Sequence, residues 1–145
     1  MTVSAKVYGK FYASAFNKEL DLDSDTLKVM LCTSSYTPDQ DAHQYKSSVT
    51  NEVTGSGYTA GGATLTSVTV TYNSGTNTFT LDAADSTWTT STITAHYAVV
   101  YDSTPSTDAT RPLICWVDFG TDVSSGGGTF QITWDAAGIA AFSVA

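Results

Sequence analysis

Basic residues are scarce in this chain of 145 residues. Lys and Arg number 6 against 14 Asp and Glu, so the formal net charge is -8. Proteins bind nucleic acids through clustered Lys and Arg that neutralise phosphate charge. The six basic residues are scattered along the sequence. The composition therefore argues against a nucleic-acid partner.

Long hydrophobic runs are also lacking. No stretch approaches the roughly 20 apolar residues of a membrane-spanning helix, and residues 1–10 lack the basic start and apolar run of a signal peptide. We therefore expect no membrane partner, and we expect the protein to stay in the cytoplasm that makes it unless it is assembled into a larger particle.

Cysteine occurs only twice, as Cys32 and Cys115, in apolar segments far apart in the sequence. Neither has a second cysteine close enough to form a metal knuckle or a redox pair. We favour two buried free thiols, since disulfides are rare in cytosolic proteins. A disulfide between two core strands is the alternative.

Thr and Ser are abundant, with 25 Thr and 17 Ser. Thr is β-branched and prefers strands to helices. Hydrophobic residues make up 41% of the chain, which is sufficient for a core, and the length is typical of one domain. The composition predicts a single β-rich domain.

Helical periodicity occurs only near the N-terminus, where apolar residues recur at spacings of three and four. It predicts an amphipathic helix over residues 5–18, within an N-terminal arm of residues 1–20, followed by a β core of residues 26–145. The apolar positions of this helix are Val7, Tyr8, Phe11, Tyr12, Ala15 and Phe16.

Apolar runs and alternating patterns predict six strands in the β core. They cover residues 26–33, 63–72, 78–81, 96–101, 113–119 and 129–134, and a short apolar end follows at 139–144. The second and third strands form a hairpin, residues 37–50 form an ordered surface loop, and residues 120–128 form a flexible turn. The predicted fold is a single-domain antiparallel β-sandwich or small barrel with a short N-terminal helix.

Histidine, the usual general base, occurs twice. His96 begins an apolar strand, where a satisfied, partly buried imidazole is the favoured interpretation. His43 lies near Asp39 and Asp41 and could bind a metal with them, but a solvated loop is favoured. Neither histidine has a convincing catalytic partner in the sequence.

The alternating carboxylates Asp21, Asp23 and Asp25 resemble the start of a calcium loop. The sixth position of that loop should be Gly but is Thr26, and the twelfth should be Glu but is Cys32. Solvated charges before a strand are therefore favoured over a calcium site.

The Gly-rich residues 55–62 lack the following Lys and the helix of a phosphate-binding loop. Trp88, Trp116 and Trp134 could stack on a sugar, but Trp116 and Trp134 lie in apolar strands that favour core packing. The sequence shows no catalytic constellation. We therefore expect a non-enzymatic protein without a metal or cofactor.

Five segments together resemble a family of small structural proteins encoded by tailed bacteriophages. In order they are LKVMLCTSSYTPDQDAH at 27–43, TNEVTGSGYTAGGATL at 50–65, STITAHYAVVYD at 91–102, PLICWVDFG at 112–120 and GTFQITWDAAGI at 128–139. The resemblance extends over nearly the whole chain and transfers no catalytic residues.

The resemblance implies a virion component, most similar to a head decoration or capsid cement protein. Such a protein lies on the outer surface of the head, bridges subunits of the major capsid protein, and commonly acts as a homotrimer. A host-recognition protein at the tail tip or fibre, binding glycan, is the alternative. A glycan hydrolase is a distant third.

If the protein decorates a capsid, we expect contacts from the N-terminal segment and from the loops at 37–50 and 120–128. The N-terminal segment has more aromatic side chains than a single surface helix needs for packing. These side chains anchor either the domain's own core or a partner's groove. The predicted contact residues are Val3, Val7, Tyr8, Phe11, Tyr12 and Tyr45.

Overall fold

The computed structural model describes residues 2–144, so Met1 and Ala145 lie outside the described residues. Within this range the chain forms ten strands, one short α-helix and a 3₁₀ turn at Lys46–Ser48. The helix α1 is Phe11–Phe16, and the strands are β1 Ser4–Val7, β2 Leu27–Cys32, β3 Ala63–Thr64, β4 Thr69–Asn73, β5 Thr78–Asp82, β6 Ser86–Trp88, β7 Thr94–Asp102, β8 Leu113–Ser124, β9 Phe130–Ile132 and β10 Ala140–Ser143.

All strand pairs are antiparallel, and they form three open sheets. The largest has the order β1-β8-β7-β2-β3, the second β10-β5-β4, and the third β6-β9. Leu31 and Val100 of the large sheet pack in one cluster with Leu81 and Phe130 of the smaller sheets. The predicted single-domain, mainly β, antiparallel sandwich is confirmed.

A second buried cluster covers the other face of the large sheet. Successive residues of a strand point to opposite faces, so Met30 of β2 and Tyr101 of β7 turn away from the main core. Tyr8 and Tyr36, from the segments that flank α1 and follow β2, cover them. Both faces of the large sheet are therefore buried over part of its area.

The N-terminal helix is shorter than predicted. Residues 4–7 form β1, an edge strand that pairs with residues 115–118 of β8, and Tyr8 continues the pairing by donating its backbone N–H to Ile114 O at 3.1 Å. The helical spacing was wrong for residues 5–10, because the edge of β8 satisfies the backbone groups of this segment in an extended conformation.

Other strand boundaries also differ from the prediction. The predicted strand at 63–72 is divided into β3 and β4, with Ser67 in the left-handed region at φ 52°. The predicted turn at 120–128 begins as strand, since β8 continues to Ser124 opposite Thr94. β6 was not predicted. Its three residues are strand because they pair with β9.

The two cysteines are buried free thiols, as the favoured interpretation held. Cys32 belongs to the cluster on the outer face of the large sheet. Cys115 belongs to the core between the sheets. The sheet itself separates the two side chains, which excludes the alternative disulfide.

Burial raises the pKa of both thiols to about 12. Because the thiolate is the reactive form, neither cysteine should react with Ellman's reagent in the native protein at pH 8. Both should react at once in guanidinium chloride without a reductant. A fast native reaction would contradict the burial, and no reaction in denaturant would indicate a disulfide.

Candidate functional site: an apolar groove with an acidic rim

Five large hydrophobic side chains are exposed among the described residues: Val3, Tyr12, Phe16, Tyr72 and Val144. All except Val3 line one groove of about 1140 Å³. Phe16 is the most exposed of them, at 84%. Contiguous exposed apolar surface is uncommon on monomeric proteins and marks interaction sites. We call this feature the apolar groove.

Three parts of the chain build the apolar groove. One wall is α1 and the segment 18–25, the opposite wall is the sheet β10-β5-β4, and the end of β7 with residues 104–105 closes one side. Its apolar lining consists of Phe11, Tyr12, Ala15, Phe16, Leu20, Leu22, Val70, Tyr72, Phe79, Phe142 and Val144, with Pro105 at the margin.

Phe11 fixes helix α1 to the sheet wall. It is buried and stacks on Phe142 of β10, with ring centroids 5.2 Å apart. Tyr12 meets the same Phe142 ring edge-on at 6.0 Å. Tyr12 and Phe16 are four residues apart and therefore lie on the same side of the helix, where both line the groove.

The end of α1 turns the chain back along the groove. Lys18 has a φ of 60°, and its N–H donates to Ala15 O while the N–H of Glu19 donates to Ser14 O. These two bonds are the Schellman arrangement that ends helices. The turn places Leu20 and Leu22 in the groove lining, half-buried against the main core.

Acidic side chains form the rim on the α1 side. Glu19, Asp21, Asp23 and Asp25 all lie in the segment that leaves the helix, against the single cation Lys18. A hydrogen bond from the Ser24 side chain, then one from the Asp23 N–H, lower the pKa of Asp21. This carboxylate is therefore held in its charged form. We call these four residues the acidic rim.

Asp102 lies beneath the acidic rim at the end of β7 and is 0% exposed. Its Oδ1 accepts the Thr104 N–H at 2.8 Å, while Oδ2 has no hydrogen-bond partner. Burial, followed by the neighbouring carboxyl of Asp25, raises the pKa of Asp102 to about 6.

The predicted contact residues are divided among three places. Phe11 and Tyr12 lie in the apolar groove. Val3 is 56% exposed and lines a different, smaller depression beside β9. The structure does not bring Val3 to the groove.

Tyr8, Val7 and Tyr45 lie outside the groove. Tyr8 is fully buried, with its hydroxyl 2.8 Å from that of Tyr36. Val7 is half-buried against the main core, and half-buried Tyr45 donates its hydroxyl to Glu19 at 3.0 Å. Of the N-terminal aromatic residues, Tyr8 and Phe11 therefore anchor the domain's own core, and Tyr12 is left exposed.

The two histidines have local structural partners. His43 Nδ1 lies 3.1 Å from the hydroxyl of Tyr36. His96 is half-buried, with Nδ1 2.7 Å from Asp122 Oδ1 and Nε2 3.4 Å from Asp118 Oδ1, as the favoured interpretation held. Within residues 2–144, no group of three or more His, Cys, Asp or Glu side chains is arranged to hold a metal ion.

The three tryptophans pack in or against the hydrophobic clusters. Trp88 and Trp116 are buried, and Trp134 is half-buried against the main cluster. Trp88 and Trp116 therefore present no free ring face to solvent.

In the described part of the chain, no helix is long and apolar enough to cross a membrane.

Sequence reasoning missed most of the apolar groove. Leu20, Leu22, Phe79 and Phe142 were not singled out, and Asp102 was placed at the start of a polar loop. The one signal in the sequence was Phe16, an apolar residue of the predicted helix, which the structure leaves exposed in the groove.

Comparison of the chain with protein-family models, curated proteins and solved structures finds no match.

Proposed function

We propose that this chain is a non-enzymatic structural protein of a tailed-bacteriophage virion. It decorates the outside of the head and stabilises the shell by bridging neighbouring subunits of the major capsid protein. The class of protein is supported by the five sequence segments at 27–43, 50–65, 91–102, 112–120 and 128–139 that resemble phage structural proteins. The mode of action is supported by the surface of the domain.

The apolar groove is the observation that carries the proposal. Tyr12, Phe16, Tyr72 and Val144 are large and exposed, and they lie together. Burial of apolar area contributes about 25 cal/mol per Å² to association. A partner that covers these side chains gains that free energy, so the groove suits a protein-binding role.

The net charge of -8 suits an outward position on the head, because packaged DNA repels an acidic protein. Many symmetric copies on one shell gain avidity beyond the affinity of a single contact. The homotrimer is proposed from the resemblance to phage decoration proteins, which commonly act as trimers, and it agrees with the closed cyclic symmetry usual in homo-oligomers.

The first test measures copies of the protein per virus particle. Phe16→Ser and Tyr72→Ser replace exposed groove residues, so the fold should be retained. The double variant should lower head occupancy at limiting protein concentration by at least about tenfold, since each lost apolar contact weakens binding by about 1 kcal/mol or more. Cryo-electron microscopy and gel quantification of purified particles give the copy number and its location.

Val3→Ser is the matched control, because Val3 is comparably exposed but lies outside the groove. Its occupancy should equal that of the wild type. If only Val3→Ser lowered head occupancy, the contact would lie at the N-terminal segment beside β1 and not at the groove. Wild-type density found only at the tail would overturn the head position and favour the glycan-binding alternative.

A further inference from the structure

The charged side chains that line the apolar groove lie in the segment that follows α1 and, for Asp102, at the end of β7, and none lies on the sheet wall. The acidic rim and Lys18 belong to the segment that follows α1. The facing wall of β4, β5 and β10 contributes Val70, Tyr72, Phe79, Phe142 and Val144, none of which is charged. The groove is therefore amphipathic across its width.

Two carboxylates of the acidic rim accept backbone N–H groups of their own segment. Asp21 Oδ1 accepts the Asp23 N–H at 3.0 Å, and Asp25 Oδ2 accepts the Asp21 N–H at 2.6 Å. The lining contains five carboxyl groups, those of the acidic rim and of Asp102, and a single cation, Lys18. A partner with Lys or Arg on one side would gain attraction here, and an acidic partner would be repelled.

A second copy of this chain fits the rim poorly. Its net charge is -8, with only 6 basic residues. Lys46 and Arg111 both bind Asp108, at 2.8 and 2.9 Å, and Lys10 donates to Ala42 O. Three of the six basic side chains are thus already engaged within the domain, and a basic segment of a different protein is the better complement.

We infer that the apolar groove binds an amphipathic segment of a second protein, with large apolar residues on one side and Lys or Arg on the other. The apolar side packs on β4, β5 and β10, and the basic side faces the acidic rim. This inference rests on the proposed function only in taking the groove as the partner-binding surface, and it adds the chemistry of the partner.

The test uses the full chain labelled with ¹⁵N and two synthetic amphipathic peptides. Both peptides carry Leu and Phe at the same positions, and their polar side is entirely Lys in one and entirely Glu in the other. The Lys peptide should shift amide resonances of groove residues and bind about tenfold tighter than the Glu peptide at low salt. The preference should shrink as salt screens the rim.

Asp23→Lys is the diagnostic variant, because Asp23 is exposed on the acidic rim. It should weaken the Lys peptide severalfold. Asp41→Lys makes the same charge change at an exposed loop position outside the groove lining, and it should have a smaller effect. Equal effects of the two variants would show that the preference for the Lys peptide depends only on the net charge of the protein, which would overturn the inference.

Equal affinity for the two peptides, or no shift with either, would also overturn the inference. Groove resonances that shift with protein concentration alone would make a second copy the occupant, which contradicts it as well. If the groove variants lower head occupancy but the Lys peptide does not bind, only this inference fails. If the peptide binds and the protein is absent from the head, only the proposed function fails.

Discussion

Gly62→Ala is expected to destabilise the domain by about 3–5 kcal/mol, from a strained backbone together with overpacking. Gly62 has a φ of +80°, and an added Cβ would overlap the carbonyl oxygen of Val29 and lie 2.6 Å from Met30 Cα. Both obstacles are backbone atoms of β2, which pairs with β7 and β3 on its two sides. They can move only if that pairing is disturbed.

Urea unfolding followed by tryptophan fluorescence measures the loss. A domain of this size has a total stability of roughly 5–15 kcal/mol, so the variant should be largely unfolded or have a much lower midpoint. Gly126→Ala is the matched control. Gly126 also has a positive φ, of +57°, but an added Cβ meets no atom within 4 Å. It should cost only about 1 kcal/mol, and equal losses would contradict the close approach at Gly62.

The fold class could be predicted because strand alternation is a local property. The β4–β5 hairpin follows from the alternation before and after Asn73, whose Oδ1 accepts the N–H groups of Gly75 and Thr76 in the turn. Buried β2 and β7 follow from short apolar runs. In each case, the residues that determine the element lie within it or beside it.

The N-terminal error has a physical cause that lies far away in the sequence. Residues 5–8 have helical spacing, but β8 offers them an edge more than 100 residues later. The pairing supplies backbone hydrogen bonds to the whole segment, and that tertiary context outweighs a weak local preference. No pattern within residues 1–20 reveals the edge.

The apolar groove could not be predicted for the same reason. Its walls meet because β10 pairs with β5 and because Phe142 stacks on Phe11. The turn that returns Leu20 depends on Lys18 in a left-handed conformation, where Gly is the residue that usually indicates such a turn. Phe11 and Tyr12 could be singled out as contact residues, but the groove that they line could not be predicted.

Asp102 was also hidden from sequence reasoning, since an Asp at the end of a strand is usually solvated. Its burial comes from contacts that cross the fold. Its N–H donates to Pro112 O at 2.9 Å, and the next residue, Ser103, donates its N–H to Thr26 O at 2.9 Å. The first bond joins the end of β7 to the residue before β8, the second joins it to the residue before β2, and the Asp102 side chain is buried there.

Asp102→Asn is expected to stabilise the protein by about 2–3 kcal/mol above pH 7. The pKa of Asp102 is raised in the folded state to about 6 from its ordinary value of 3.8. Well below pH 3.8 the carboxyl is protonated in both states, and its burial does not lower stability. As the pH rises from about 4 to 6, the carboxyl ionises in the unfolded state while it stays largely protonated in the folded state, so stability is lost. Asn is neutral throughout and can donate to Asp25 while accepting from Thr104.

The difference in unfolding free energy between Asp102→Asn and the wild type should therefore be small at pH 4, grow between pH 4 and 6, and level off above pH 7. Urea titrations at several pH values measure it. Asp41→Asn removes an exposed carboxyl and should show no comparable growth. A variant advantage that is the same at pH 4 and pH 8 would mean that burial of charge at Asp102 does not limit stability.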